Sequence, residues 1–342
     1  MKTDLIGNCQ TTAMGILPHT SMDKAMQLAF SLDIPFWPQL PKMSFYEDMY
    51  VQASEHMPGI IIDVDKKLIS FSKDKFYEEL PEYAEHMEDL AYFRLSPRYS
   101  LVYDAFLKQD LLQHYAIRGQ FIGPVSYGLK ITDENKKPII YDDEVRQFLY
   151  EFMSQKIKAQ YLELEQYNER AFIWTDEPGL GMIFMAITGY SSELAQKDYA
   201  EFLKTFPGPK GVHLCANPDW SFLLNLDLDI LSLDVLAWGE VFQYYTEEIK
   251  GFLDRGGIIS WGITPTLEEQ LDGATVSELL AKLEGFWDFL ASRNIPKEQI
   301  LAQAWLAPAR CCLVNPDESG VEKSFEMIRE MSQQLREKYK LY

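Results

Sequence analysis

The run Gly211-Val212-His213-Leu214-Cys215 sets an imidazole and a thiol two positions apart in a stretch that reads as a β-strand. Strand side chains alternate between faces, so His213 and Cys215 point the same way. Two ligand types that zinc favours thus share one face, although a histidine in such a run can equally be a satisfied core residue. Among the five histidines, His213 is the one with a cysteine within two residues, which makes it the natural metal candidate. Other reactive side chains follow apolar runs in the same direction. Asp176 and Glu177 close AFIWTD (171 to 176), Asp234 closes DILSLD (229 to 234), and Cys311 and Cys312 lie just past ILAQAWLA (300 to 307). If these runs are parallel strands, their C-terminal ends meet at one end of the sheet, where barrel enzymes gather catalytic groups.

The elements that must position these residues can be counted. Eight β-like runs occur, at 11–17, 33–37, 119–125, 171–176, 211–216, 229–234, 257–263 and 300–307. Most are apolar on both faces, as parallel strands covered by helices are. Helical periodicity fills the intervals: Val145, Phe148, Leu149 and Phe152 fall on one face, and so do Val321, Phe325 and Ile328. The alternation predicts an α/β protein with a (β/α)8 TIM barrel rather than a doubly wound open sheet, since no GxGxxG follows a strand.

The wide interval between the second and third runs predicts an inserted α+β subdomain after the second strand, at about 59–115. GIIID (59 to 63) and KLISF (67 to 71) read as a hairpin, followed by an aromatic-rich helical run through Tyr103, Phe106 and Tyr115. An excursion from the C-terminal end of a barrel strand lies near the barrel mouth, where it either covers the site or merely embellishes the fold. With no repeat, low-complexity tract or Pro/Gly linker, residues 1–342 read as one domain.

Composition limits the partners. Of 342 residues, 47% are hydrophobic and 13% aromatic, enough for a substantial core. Thirty-two Lys plus Arg against 52 Asp plus Glu give a net charge of −20, which repels phosphate backbones and anionic lipid, so neither nucleic acid nor membrane is expected as a partner. The opening MKTDLIGNCQ lacks the apolar centre of a signal peptide, and four cysteines cannot staple a chain of this size, so a reducing cytoplasm is the expected location. The plain reading of each cysteine is a small buried hydrophobe.

Five stretches stand in order along the chain: TTAMGILPH (11 to 19), FIGPVS (121 to 126), IWTDEPGL (173 to 180), GVHLCAN (211 to 217) and ARCCL (309 to 313). Together they resemble the barrel superfamily shared by the C-terminal catalytic half of cobalamin-independent methionine synthase and by uroporphyrinogen decarboxylase, including the zinc methyltransferases that methylate coenzyme M. The family motifs matched are G-P-V/F/T-T/S, I-D-E-P-x-L, HxC and x-x-C-G-L. The resemblance implies zinc on His213, Cys215 and Cys311, with Asp234 near the place of the family's fourth ligand, a glutamate. Glu240 is an alternative there, and Cys312 is an alternative to Cys311. A structural zinc is disfavoured, because its ligands usually come in close-spaced pairs. The resemblance also implies that Asp176 holds a substrate amino group, with Glu177 beside it as the second catalytic acid, and that Gly15, Ile16, His19 and Glu47 contact substrate. Two stretches depart from the family: its first-strand G-S is Gly15-Ile16 here, and its G-E-P-E-R-x-D-M-V is met only by MSFYEDMYV (43 to 51).

The chemistry implied is S-methylation. A free thiol with a pKa of about 8.5 is mostly protonated at neutral pH, whereas one on Zn²⁺ is held as a thiolate nucleophile. Homocysteine, giving methionine, is the implied acceptor, with a coenzyme M-like or other small thiol as the alternative. Because the chain has room for one barrel rather than two, methylcobalamin on a corrinoid protein is the implied donor, with a methylated folate as the alternative. Two further readings are a porphyrinogen decarboxylase-like enzyme, which wants an arginine-rich N-terminal motif where Arg94 is the first arginine here, and a non-catalytic corrinoid- or metal-binding protein.

Overall fold

A computed structural model describes residues 4–183, 190–205, 207–311 and 318–341. Nine strands occur among them: β1 (Gln10–Thr11), β2 (Ile60–Asp63), β3 (Leu68–Phe71), β4 (Ile117–Ile122), β5 (Ala171–Asp176), β6 (Lys210–Leu214), β7 (Ile230–Asp234), β8 (Ile258–Thr264) and β9 (Ala304–Pro308). Seven of these form one parallel sheet in the order β1-β9-β8-β7-β6-β5-β4. Residues 34–36 link its two edges. The Ile34 N–H donates to Thr11 O at 3.0 Å, the Arg118 N–H donates to Pro35 O at 3.0 Å, and Phe36 bridges Arg118 in parallel. The result is an α/β fold with a curled sheet, consistent with a TIM-like barrel.

Apolar residues fill both sides of the sheet. On the outer side, the helix Asp143–Leu164 buries Val145, Leu149 and Phe152, and the helix Ser319–Tyr339 buries Val321, Phe325 and Ile328. These are the periodic faces seen in the sequence. A separate cluster of Phe172, Trp174, Ile230, Ile258 and Trp305, joined by Met14 and Ile34, occupies the enclosed side.

Three expected strands take different forms, the run 33–37 making only an isolated bridge through Phe36. The run 300–307 is divided, because Pro296 opens the helix Lys297–Ala302, built from strong helix formers, and β9 begins only at Ala304. At 11–17 the ladder stops after Thr11 and the chain changes partner. The Leu17 N–H donates to Gln39 O at 3.0 Å, and the Gln39 N–H donates to Gly15 O at 2.8 Å. The hairpin forms as read, with Ile60 opposite Phe71 and Asp63 opposite Leu68. Tyr103 and Phe106 lie buried in the helix Leu101–Leu107, and Tyr115 falls beyond it. Among the described residues, no helix is long and apolar enough to cross a membrane.

Trp305 is fully buried in the enclosed cluster, and its indole N–H donates to Ile6 O at 2.9 Å. Trp305→Ala leaves a cavity and is expected to cost about 3–5 kcal/mol, read as a lower urea midpoint with an unchanged denaturant slope.

Candidate active site

Register places the reactive residues side by side. Asp176 pairs with His213, His213 with Ser232, Ser232 with Ser260, and Ser260 with Trp305. Residues directly opposite in neighbouring strands face the same side, so this rung lies on the enclosed side, slanting from the C-terminal ends of β5 and β6 to the N-terminal part of β9. His213 Nδ1 and the Ser232 hydroxyl share a hydrogen bond of 3.0 Å, and the Trp174 ring lies 5.5 Å from the imidazole, centre to centre. Cys215 follows β6 directly. Its carbonyl accepts from the Trp238 indole at 2.9 Å, which anchors the loop to the helix Val235–Phe242.

Burial, reinforced by the positive charges of Arg118 and Arg310, pushes the His213 imidazole down to about 3. It is therefore a neutral lone-pair donor at any working pH. Burial pushes the Cys215 thiol up; Arg310 opposes this, and the carboxylates of Asp234 and Asp176 add to it. Asp234 is fully buried and has both oxygens engaged. One accepts the Ala237 N–H at 2.9 Å as the helix cap, and the other is ion-paired with Arg310. Burial raises its pKa, while the Ala237 bond and Arg310 lower it.

The two acids of the DEP stretch have separate roles. The Asp176 carboxyl is buried and pushed up to about 7 by desolvation, against the pull of Arg118, and its Oδ1 has no hydrogen-bond partner among the described residues. Glu177 is directed elsewhere. It accepts from the Ser126 hydroxyl at 2.6 Å and from the N–H groups of Ser126 and Val125 at 2.8 and 3.2 Å, which caps the helix Pro124–Lys130. The N-cap of that helix is Gly123, which has no side chain for the task, and a Cβ there would strike the Glu177 carboxylate. Burial pushes Glu177 up to about 7 as well, against these hydrogen bonds.

The remaining expected site residues scatter. Gly15 lies against the carboxamide of the buried Gln120, so a Cβ there would overlap that side chain, and the neighbouring Ile16 bridges Gln39. Glu47 is buried and caps the helix Leu101–Leu107, accepting from the Ser100 hydroxyl at 2.7 Å and from the N–H groups of Leu101 and Val102 at 2.8 and 3.2 Å. His19 groups with Glu318 and Glu322, not with the rung. Glu240 is exposed on its helix and accepts from the Gln243 amide at 3.0 Å. Cys311 is half-buried, and Cys312 lies outside the described residues.

Four residues that the sequence did not single out belong to this region. Arg118 is fully buried, 4.6 Å from the centre of the Trp174 ring and 5.0 Å from that of Phe36. Ser232 fixes the imidazole, and Arg310 occupies Asp234. The Tyr50 phenol, stacked on Tyr127 with ring centres 6.2 Å apart, is raised by burial first and then by the charges of Glu177, Asp48, Asp176 and Cys311. Ser232 stood at the strand position that faces inward, a readable signal. Arg310 stood next to the cysteine pair but reads as a solvated charge.

Donor type fits zinc better than the present spacing does. Neutral imidazole and buried thiols suit the ion, yet among the described residues the group of three ligands lying within 4.8 Å of one another is His19, Glu318 and Glu322.

No family model matches this chain, and no curated protein matches it. Solved structures do. A B12-independent methionine synthase from Shewanella sp. W3-18-1 in complex with selenomethionine is 14% identical, with a TM-score of 0.58 over 97% of this chain and 98% of that one. A methyltransferase from Methanosarcina mazei is 12% identical, with a TM-score of 0.53 over 97% of this chain and 94% of the other. At these identities the similarity is one of fold, and it extends over nearly the whole length of each protein.

The raised Asp176 pKa predicts how the stability of the chain responds to pH. An unfolded aspartate titrates near 3.9, so from about pH 4 to about pH 7 the folded state holds more protons and stability falls as pH rises through that window. Asp176→Asn removes the titration and should narrow the gap between urea midpoints measured at about pH 5 and about pH 8. An unchanged gap would assign the effect to another group.

Proposed function

We propose that this protein is a methyltransferase that methylates a thiol held on a zinc ion, with homocysteine as the first candidate acceptor. The observation that carries the reading is the pairing of His213 with Cys215 at the C-terminal end of β6. There the imidazole is neutral and oriented by Ser232, and Asp176, one strand away, keeps an oxygen without a hydrogen-bond partner among the described residues. Two solved proteins of the same fold bear the names methionine synthase and methyltransferase, and the first is in complex with selenomethionine, which supports a methylated sulfur amino acid as product.

His213, Cys215 and Cys311 would hold the ion, with Cys312 as the alternative to Cys311. Zinc bound there supplies the positive charge that keeps a substrate sulfur deprotonated and nucleophilic. Asp234 is a poor fourth ligand while its oxygens are taken by Arg310 and the helix cap, which leaves the fourth position to the substrate thiol. With Nδ1–H donating to the Ser232 hydroxyl, His213 presents its Nε2 lone pair in fixed orientation. A substrate ammonium beside Asp176 would give its Oδ1 a donor and favour ionisation of the carboxyl, so binding the amino group and charging the site are one event. Glu177 contributes by holding the helix Pro124–Lys130 in place.

The same reading takes the fold as one (β/α)8 barrel over 1–342, with 33–37 as its second strand and 59–115 as an insertion near the mouth. Chain just before and within the insertion packs against elements that follow β4. The Ser54 hydroxyl meets the Tyr127 hydroxyl at 2.7 Å, Glu55 faces the buried Lys156 at 3.7 Å, and the Phe71 N–H donates to Thr132 O at 3.0 Å. Methylcobalamin carried by a corrinoid protein is the proposed donor, with a methylated folate second, and the proposed location is the cytoplasm.

The test uses the purified full chain with methylcobalamin or methyltetrahydrofolate and homocysteine. His213→Ala and Cys215→Ser should abolish methyl transfer and lose the one equivalent of zinc held beside β6, while Ser232→Ala should weaken binding of that zinc about 10–100-fold. Of Cys311→Ser and Cys312→Ser, one should lose the same equivalent and the other keep it. Methyl transfer that persists in His213→Ala would overturn the proposal.

A further inference from the structure

A second group of metal-type ligands lies apart from the rung. His19 follows the first strand region, and Glu318 and Glu322 stand one helical turn apart at the start of the helix Ser319–Tyr339. One nitrogen of His19 and one oxygen of each glutamate all lie within 4.8 Å of one another. His19 is fully buried, yet among the described residues neither of its ring nitrogens has a hydrogen-bond partner. Buried polar groups without partners are rare, and each calls for an explanation such as an ion.

We propose that His19, Glu318 and Glu322 form a binding site for a first-row divalent transition metal, separate from the proposed thiol-activating zinc. Metal–N and metal–O bonds of about 2.0–2.2 Å place donors on opposite sides of an ion at most about 4.4 Å apart, so from a spacing within 4.8 Å a small side-chain rotation would close the group. The donor set, one imidazole and two carboxylates, selects Zn²⁺ or Mn²⁺ over Ca²⁺, which takes oxygen alone, and over Cu(I), which seeks sulfur. Burial lowers the His19 pKa against the pull of both glutamates, so the ring is a neutral donor. Glu318 accepts the Thr20 N–H at 3.3 Å on one oxygen and the ammonium of Lys24, 64% exposed, at 3.4 Å on the other; that long, solvent-screened contact is the one an ion would displace, unlike the engaged oxygens of the fully buried Asp234. Glu322 is exposed, which leaves the ion a route from solvent.

Placement gives the site a purpose. It joins chain that follows the first strand to the start of the last helix, and Glu318 comes seven positions after Cys311. A metal there would tie those two elements together as a structural ion.

Mn²⁺ separates the two sites, because it favours oxygen and nitrogen donors over thiolate. The full chain carrying Cys215→Ser, stripped with chelator, is titrated with Mn²⁺ alone and followed by the electron paramagnetic resonance of the free ion. About one equivalent should bind and raise the thermal midpoint. Added to that background, Glu322→Gln, an exposed and isosteric change that keeps the fold, and His19→Ala should each weaken binding at least about tenfold, with circular dichroism in chelator as the control for folding. Failure of the Cys215→Ser chain to bind either Mn²⁺ or Zn²⁺, or equal binding in Glu322→Gln, would overturn the site. Zinc lost from the unmodified chain through Cys215→Ser alone would leave the methyltransferase proposal standing without it.

Discussion

Arg118 lies fully buried against the rings of Trp174 and Phe36, and among the described residues no carboxylate approaches it within ion-pair distance. Enclosing a charge this way is costly unless other interactions offset the lost hydration. Here the aromatic faces supply cation–π attraction, worth about 2 kcal/mol where water is excluded, and the carbonyls of Ala13 and Gly119 accept its N–H groups. Burial lowers its pKa to about 9, with Asp176 opposing the shift, so it remains a cation at neutral pH. Its contacts join the first strand region, the 34–36 segment, β4 and β5 at the point where the edges of the sheet meet. The same charge reaches the rung, where it pulls the Asp176 pKa down and helps hold His213 neutral.

Those opposing charge effects explain why neighbouring acids with similar pKa values do different work. Asp176 and Glu177 are both raised to about 7 by burial. Glu177 is satisfied by three donors of the Pro124–Lys130 helix, whereas Asp176 has a cation nearby and an oxygen left over. Adjacent residues at a strand end point in opposite directions, so only one of the pair can face the enclosed side. Glu47 repeats the pattern seen at Glu177: an acid in the right part of the chain for substrate is consumed in capping the helix Leu101–Leu107.

The sequence displayed the rung more clearly than the fold's edges. β5, β7 and β8 are apolar runs ending in polar residues, so their limits could be read from composition, and the shared face of His213 and Cys215 followed from strand alternation at β6. The first two strand regions could not, because pairing there passes from β9 to the 34–39 segment within a few residues and rests on isolated bridges. Ile300 and Leu301 look strand-like by composition, yet Pro296 had already committed them to a helix. Arg118 and Arg310 were illegible for a different reason. A charged residue at the margin of an apolar run reads as solvated, and only the closed structure shows that Arg118 turns inward and that Arg310 is paired with a buried carboxylate. His19 drew attention through its motif, but its partners lie three hundred positions away, beyond the reach of spacing arguments.

The Arg310–Asp234 pair bears most directly on the proposed chemistry. A carboxylate in that position can serve a metal only if it is released, and here it is held by a guanidinium on one oxygen and a helix N-terminus on the other. Arg310 is 35% exposed and partly screened by water, so breaking the pair costs less than the roughly 3–5 kcal/mol of a fully enclosed one, but Asp234 would still be left charged and buried. A metal ion would have to return that energy through one added bond. Three protein donors and a substrate sulfur avoid the cost altogether, and they leave open the coordination position that a thiol-activating site requires. On this argument Arg310 is more than a bystander to Cys311. By keeping Asp234 occupied it disfavours a closed four-ligand cage, and it adds positive charge beside the thiol of Cys215 that lowers the proton affinity of that group.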